Sequence, residues 1–144
     1  MKKILYTLAL AAALTSCVGS YNVEGSSSIT ALDGSKLYLK AIKNNQLKNL
    51  DSCEVVHGEF HFSGTLDSIR MASLYMDDES VMPIVLEKGD IVVKIEAGRQ
   101  IVSGTPLNDS LYVFIEEHNR LSNQMNELSH KQSQMLLDGI DEAA

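Results

Sequence analysis

The chain has no tryptophan, aromatic residues make up only 6% of it, and it has two cysteines, Cys17 and Cys53. A core without large rings must rest on Val, Ile, Leu and Met. No Cys-x-x-Cys pair occurs, so the chain carries no thioredoxin-type redox centre of its own. It also lacks a nucleophile-elbow Gly-x-Ser-x-Gly, a phosphate-binding Gly-Lys-Ser/Thr loop and a dinucleotide fingerprint. No basic block is present, and the formal net charge is −7. With little to set against phosphates, nucleic acid is excluded as a partner, and anionic headgroups would repel the body of the chain. No catalytic constellation and no cofactor site emerge, so the expectation is a non-enzyme. The hydrophobic fraction of 44% over 144 residues is enough for one domain with a real core.

The N-terminus carries a distinct signal. Lys2 and Lys3 precede an apolar run from Ile4 to Leu14, which is followed by Thr15-Ser16-Cys17. The run has signal-peptide length and is too short for a lasting membrane span. Leu14-Thr15-Ser16-Cys17 resembles the lipobox of bacterial lipoproteins, with Leu three before the cysteine and a small residue directly before it. That resemblance implies a signal peptide over 1–16, cleavage between Ser16 and Cys17, and diacylglycerol transfer to the Cys17 thiol, usually followed by acylation of the new amine. Several acyl chains anchor more firmly than one. Val18-Gly19-Ser20-Tyr21-Asn22 has no acidic sorting residue. By analogy this points to a cell-envelope, periplasm-facing location on the outer or inner membrane. Losing Lys2 and Lys3 with the leader takes the formal charge from −7 to about −9.

Residues 17–28, with Gly19, Gly25 and Ser26-Ser27-Ser28, read as a lipidated tether holding one short strand around Tyr21–Glu24. Residues 29–104 read as a β domain built of short runs broken by Gly, Asp and Asn. Leu37, Leu39 and Ala41 alternate with Tyr38 and Lys40, as a half-buried strand requires. His57-Gly58 is a two-residue hairpin turn between 51–56 and 59–63. Pairing across it sets Val55 opposite Phe60 and Cys53 opposite Phe62 on the core face, with Glu54 opposite His61 outside. A second hairpin joins 71–76 to 81–86 through the acidic stretch Asp77-Asp78-Glu79. Lys88-Gly89-Asp90 is a turn, and strands over 91–95 and 100–103 follow.

After Gly104 the period changes. Thr105 is a candidate N-cap and Pro106 fits a first helical turn. Leu107, Leu111, Phe114, His118, Leu121, Met125, Leu128, Gln132 and Met135 recur at alternating spacings of four and three, which makes 105–138 an amphipathic helix. A helix laid on its own domain is favoured over a coiled-coil seam. Gly139 is expected to end the helix, leaving 139–144 as a tail. The fold class is therefore mainly β: an antiparallel β-sandwich or open barrel of about seven or eight strands, followed by a long C-terminal amphipathic helix.

The blocks Asp33-Gly34 with Leu37-Tyr38-Leu39, Asp51-Ser52 leading to Gly58-Glu59-Phe60-His61-Phe62-Ser63-Gly64, Pro83-Ile84-Val85-Leu86-Glu87-Lys88-Gly89-Asp90, and Val102-Ser103-Gly104-Thr105-Pro106-Leu107-Asn108-Asp109 occur in that order. In order and spacing they resemble the DUF4369 domain, a lipoprotein-associated β domain of Bacteroidota, from about Tyr21 to Asn108. In that family the domain often precedes a thioredoxin-like domain of the TlpA or peroxiredoxin-like type. The resemblance would make this chain the N-terminal part of an anchored thiol-disulfide oxidoreductase. The sequence departs from that pattern in showing no thioredoxin-like βαβ run and no Cys-x-x-Cys.

Each candidate for chemistry has a plainer reading beside it. Cys53 reads as a small core residue with an inert thiol. His57 and His61 are candidate ligand residues, but two histidines and a carboxylate at a hairpin end are too few for a zinc site, and a solvated tip is favoured. Asp77-Asp78-Glu79 lacks the spaced oxygens of a calcium loop. His118 reads as a polar interruption that sets helix register. The function expected is a lipid-tethered binding, scaffold or spacer module, held to the membrane by its anchor and meeting a protein partner or a second copy through 105–138. The alternatives are the oxidoreductase fragment and a small-ligand binder with a pocket between sheet and helix.

Overall fold

The computed structural model describes residues 19–142. The leader and the residues expected for cleavage and lipidation, Ser16 and Cys17, lie outside them. Eight strands form two four-stranded sheets, followed by one helix. In chain order they are β1 Gly19–Ser27, β2 Lys36–Lys43, β3 Gln46–Glu54, β4 Glu59–Leu66, β5 Arg70–Met76, β6 Glu79–Leu86, β7 Gly89–Glu96, β8 Arg99–Ser103 and α1 Pro106–Glu142, with a short 3-10 turn at Thr30–Leu32. One sheet has the order β4-β1-β7-β8 and the other β3-β2-β5-β6. The sheets are not closed into a barrel, so the fold is the sandwich of the two expected forms.

Alternation builds the core. Tyr21, Val23, Phe60, Phe62, Ile91, Val93, Ile95 and Val102 come from the first sheet; Leu37, Leu39, Ala41, Leu74, Met82, Ile84 and Leu86 come from the second. All are buried, and the odd-numbered apolar set of β2 faces inward as its period of two dictates. The second expected hairpin is present as β5 and β6, turned by Asp77-Asp78, with Asp77 in the left-handed region at φ 54° and Glu79 already in the strand. Pro83, which cannot donate to a ladder, lies in β6 at the edge of its sheet.

Three expectations are corrected. The tether proposed for 17–28 is, over Gly19–Ser27, a nine-residue strand. It lies inside its sheet, antiparallel to β4 and parallel to β7. The sandwich is thus not wholly antiparallel. Glycine and serine disguised this strand, but Gly25 is there for a contact. A Cβ at Gly25 would lie 2.0 Å from Cε2 of Phe60, its neighbour on β4. Four pairs farther along, the relation reverses: Tyr21 of β1 covers Gly64 of β4, whose Cβ would lie 2.6 Å from the Tyr21 Oη. Each ring occupies the space its partner's missing side chain leaves open.

The second correction concerns the hairpin at His57-Gly58. The turn forms, with both residues at positive φ (52° and 75°) as a type I′ turn requires. Val56 and Glu59 exchange backbone hydrogen bonds of 2.9 and 3.0 Å. Pairing stops there, because β3 continues along β2 in one sheet and β4 along β1 in the other. Cys53 stands opposite Leu37, not Phe62. His61 stands beside Glu24, and Glu54 beside Lys36. Long ladders that bury whole faces outcompete one local turn.

The third concerns the helix. It docks only at its root and runs through Gly139 to Glu142. Ser103 pairs with Val92, so β8 ends where β7 begins, at the same end of the sandwich as Gly19. From there α1 doubles back along β8, and Arg99, at the opposite end of that strand, meets Tyr112 by a hydrogen bond and Glu116 at 3.5 Å. From Glu116 to Gly139 every residue except Ser122 is exposed. Residues 117–142 therefore form an arm of roughly 40 Å at 1.5 Å per residue. Among the described residues no helix is long and apolar enough to cross a membrane.

Gly25→Ala is expected to cost about 1–3 kcal/mol by driving the Phe60 ring out of its place. Urea denaturation reads this directly, and wild-type stability in the variant would contradict the ring-over-glycine packing.

Candidate functional site

Two regions could carry function: a groove around the His57 turn, and the root and arm of α1. The groove, of about 710 Å³, is open and is bordered by Glu24, Cys53, Glu54, His57, Glu59 and His61 among others. It brings His57 and His61 to one surface. Among the described residues, however, no group of three or more His, Cys, Asp or Glu side chains could hold a metal ion. The His61 Nε2 lies 3.6 Å from the Glu24 Oε1, with both side chains at least half exposed. An exposed pair of this kind contributes little.

The His57 turn is not a free tip. Ser27 N–H donates to the Gly58 carbonyl (2.7 Å), Gly58 N–H donates to the Asp33 Oδ1 (3.1 Å), and a Cβ on Gly58 would strike the Ser27 carbonyl oxygen. The turn is a structural corner fastened to the end of β1. Cys53, half-buried at its border, has its thiol pKa raised above the usual value. Burial is the main cause, a hydrogen bond from the His61 backbone opposes it, and Asp51 adds to it. A protonated thiol is a poor nucleophile. Tyr21 is also raised, first by burial and then by Asp51 against Arg70.

The helix root is the best-built polar assembly in the molecule. Asn108, fully buried, uses its side chain as a substitute strand. Its Oδ1 accepts from Val85 N–H (2.8 Å) and its Nδ2 donates to the Val85 carbonyl (2.7 Å) and to the Thr105 Oγ1 (2.8 Å). Val85 lies on an edge strand, where alternate backbone groups find no neighbouring strand. The Glu87 Oε1 accepts from Leu107 N–H (2.7 Å) and Asn108 N–H (3.2 Å). These are two of the N–H groups that the first turn of a helix leaves open, and an acidic side chain there also suits the helix dipole. Asp109 reaches back to Gly104 N–H (3.0 Å). Gly104 sits at φ 95°, and a Cβ there would come within 2.5 Å of the Asp90 carbonyl oxygen. Thr105 takes the N-cap position expected of it, its carbonyl accepting from Asp109 N–H (2.9 Å), but its hydroxyl serves Asn108, and Glu87 from the β6–β7 corner takes the open N–H groups of the first turn.

Beyond the root, α1 presents its apolar stripe to solvent. Phe114 is 67% exposed, Leu121 47%, Met125 69%, Leu128 65% and Met135 73%. Leu111 and Tyr112 still touch the core, and Leu107 is already exposed. His118 lies on the stripe beside Phe114. Among the described residues nothing covers the stripe of the arm. The sequence shows its stripe, but not that the stripe stays uncovered. A helix periodicity cannot tell which surface will meet it.

A family model described as "Domain of unknown function (DUF4369)" matches residues 21–111, more than half of the chain. No curated protein matches the chain. The matched span starts within β1 and stops at Leu111, just after the root. It starts where the resemblance did, at Tyr21, takes in the strand before residue 29, and ends three residues past Asn108, so the whole arm lies beyond it.

Two outcomes follow from the local chemistry. Asn108→Asp keeps the shape and the acceptor but removes the donor to the Val85 carbonyl, so it should destabilise the domain by about 1–3 kcal/mol; a melting temperature equal to wild type would contradict the clamp. The Cys53 thiol should react with iodoacetamide several-fold more slowly in the folded chain than in urea at pH 8, as mass spectrometry would follow in a Cys17→Ala background. Equal rates would mean that burial does not protect it.

Proposed function

The chain belongs to the DUF4369 family, and on that premise we propose that it is a lipid-anchored, non-catalytic scaffold module of the cell envelope, tethered through Cys17 and projecting a partner-binding arm. The observation that carries this reading is the opposed placement of the two ends. Gly19, two residues after Cys17, starts β1 at the end of the sandwich where α1 is rooted. A Cβ on Gly19 would lie 3.5 Å from the Cβ of Lys88, next to the Glu87 that caps the helix. The arm then runs back past Arg99 and out beyond the far end. Two extended residues span only about 7 Å. Lipid on Cys17 would hold the root end close to the membrane and direct the arm away from it.

The lipobox-like Leu14-Thr15-Ser16-Cys17, the basic start and the short apolar run support the anchor. The resemblance to envelope lipoproteins of Bacteroidota supports the compartment, facing the periplasm. The exposed stripe supports a protein partner, because a contiguous apolar surface of this kind marks an interaction site.

Growth with labelled palmitate tests the anchor. The wild-type chain should take up label and sediment with membranes. Cys17→Ala should lose the label and be released from that fraction. An unlabelled, soluble wild-type chain would sink the proposal.

A further inference from the structure

We infer that the arm pairs with a second copy of this chain as an antiparallel two-helix coil, centred between Leu121 and Met125. The inference rests on the reading of the arm as a partner-binding element and names the partner. It does not depend on the anchor.

The stripe sets the register. Leu111, His118, Met125 and Gln132 occupy a positions, and Phe114, Leu121, Leu128 and Met135 occupy d positions. Leu111 is partly occupied by its own domain, so the free seam begins at Phe114. The residues flanking it at g are Glu117, Gln124 and Lys131, and those at e are Ser122, Ser129 and Leu136. Glu117, Gln124 and Lys131 are all exposed.

Orientation follows from these flanks. In a parallel pair, g faces e of the partner. Glu117 would then face Ser122, and Lys131 would face Leu136, so Lys131 finds no counter-charge and Glu117 keeps only the Arg120 of its own helix, 2.6 Å away. The two polar a positions would also stack on themselves, His118 on His118 and Gln132 on Gln132. In an antiparallel pair, g faces g and a faces d. Glu117 then meets the partner's Lys131, and by symmetry Lys131 meets the partner's Glu117. Each polar a residue is set against an apolar d residue, His118 against the partner's Leu128 and Gln132 against the partner's Phe114. Leu121 and Met125 meet each other's counterparts at the centre. A slip of one heptad puts Glu117 against either Asp138 or Gln124, so one register is singled out.

Six layers between Phe114 and Gln132 would cover side chains that are now mostly in water. A solitary helix of this length is marginal unless its apolar face is buried. The pair would set two sandwiches at opposite ends of a common rod, with the starts of their β1 strands facing outward; both anchors then reach one membrane only with the rod lying along it, and the arm stands away from the membrane in the unpaired chain.

Charge reversal tests this, using sedimentation velocity on the full chain in detergent. Wild type should show a concentration-dependent monomer–dimer equilibrium. Lys131→Glu and Glu117→Lys should each weaken it by on the order of tenfold, since two attractions become two repulsions. The double reversal should restore it, as should an equimolar mixture of the two single variants, which also shows that both are folded. A wild-type chain that stays monomeric, or a dimer indifferent to every reversal, overturns the inference. Palmitate labelling of Cys17 is read separately, so the anchor and the pairing fail independently.

Discussion

The whole start of the helix depends on one side chain imitating a strand. The Asn108 amide takes the backbone N–H and carbonyl of Val85 that an edge strand leaves without partners, and Glu87 takes two N–H groups from the helix that Asn108 belongs to. Sheet edge and helix start are complementary sets of unmet hydrogen bonds, and the corner brings them together. Unsatisfied and buried, either set would cost several kcal/mol. Joined, they fix where α1 begins and the direction in which it leaves. The arm itself needs almost no contact with the sandwich, because a helix is straight and its first turn sets its course.

Residues with one strong periodic signal were legible in the sequence. The inward set of β2, the β5–β6 pair and the period change after Gly104 all lie where alternation and turn chemistry put them. What stayed hidden depends on distant neighbours. Gly25 looks like a linker residue until Phe60, 35 positions later, is seen to need the space. The His57-Gly58 turn is correctly formed but governs a single bridge, since β4 pairs along its whole length with β1. Both differences have one source: glycine and serine hide β1, the strand that β4 pairs with, and the local turn then offers β4 the nearest partner.

The site was half legible. Glu87-Lys88-Gly89-Asp90 and Gly104-Thr105-Pro106-Leu107-Asn108-Asp109 carry the family resemblance, and the structure gives them a common purpose as the two halves of the helix root. Sequence spacing could not reveal that they meet. The histidines, by contrast, stand out by residue type, and the structure places them on the border of an open groove, His57 in the turn and His61 beside the exposed Glu24.

The position of β1 bears on how the molecule carries force. A pull between the residue before Gly19 and the tip of the arm runs along the length of the strands. β1 is bonded on one side to β4 over eight residue pairs and on the other to β7 over seven. Loaded lengthwise, the hydrogen bonds of both ladders share the strain together, and none can be opened in turn as at a free edge. A strand that reads as slack in the sequence is, in the folded chain, the member best placed to bear tension.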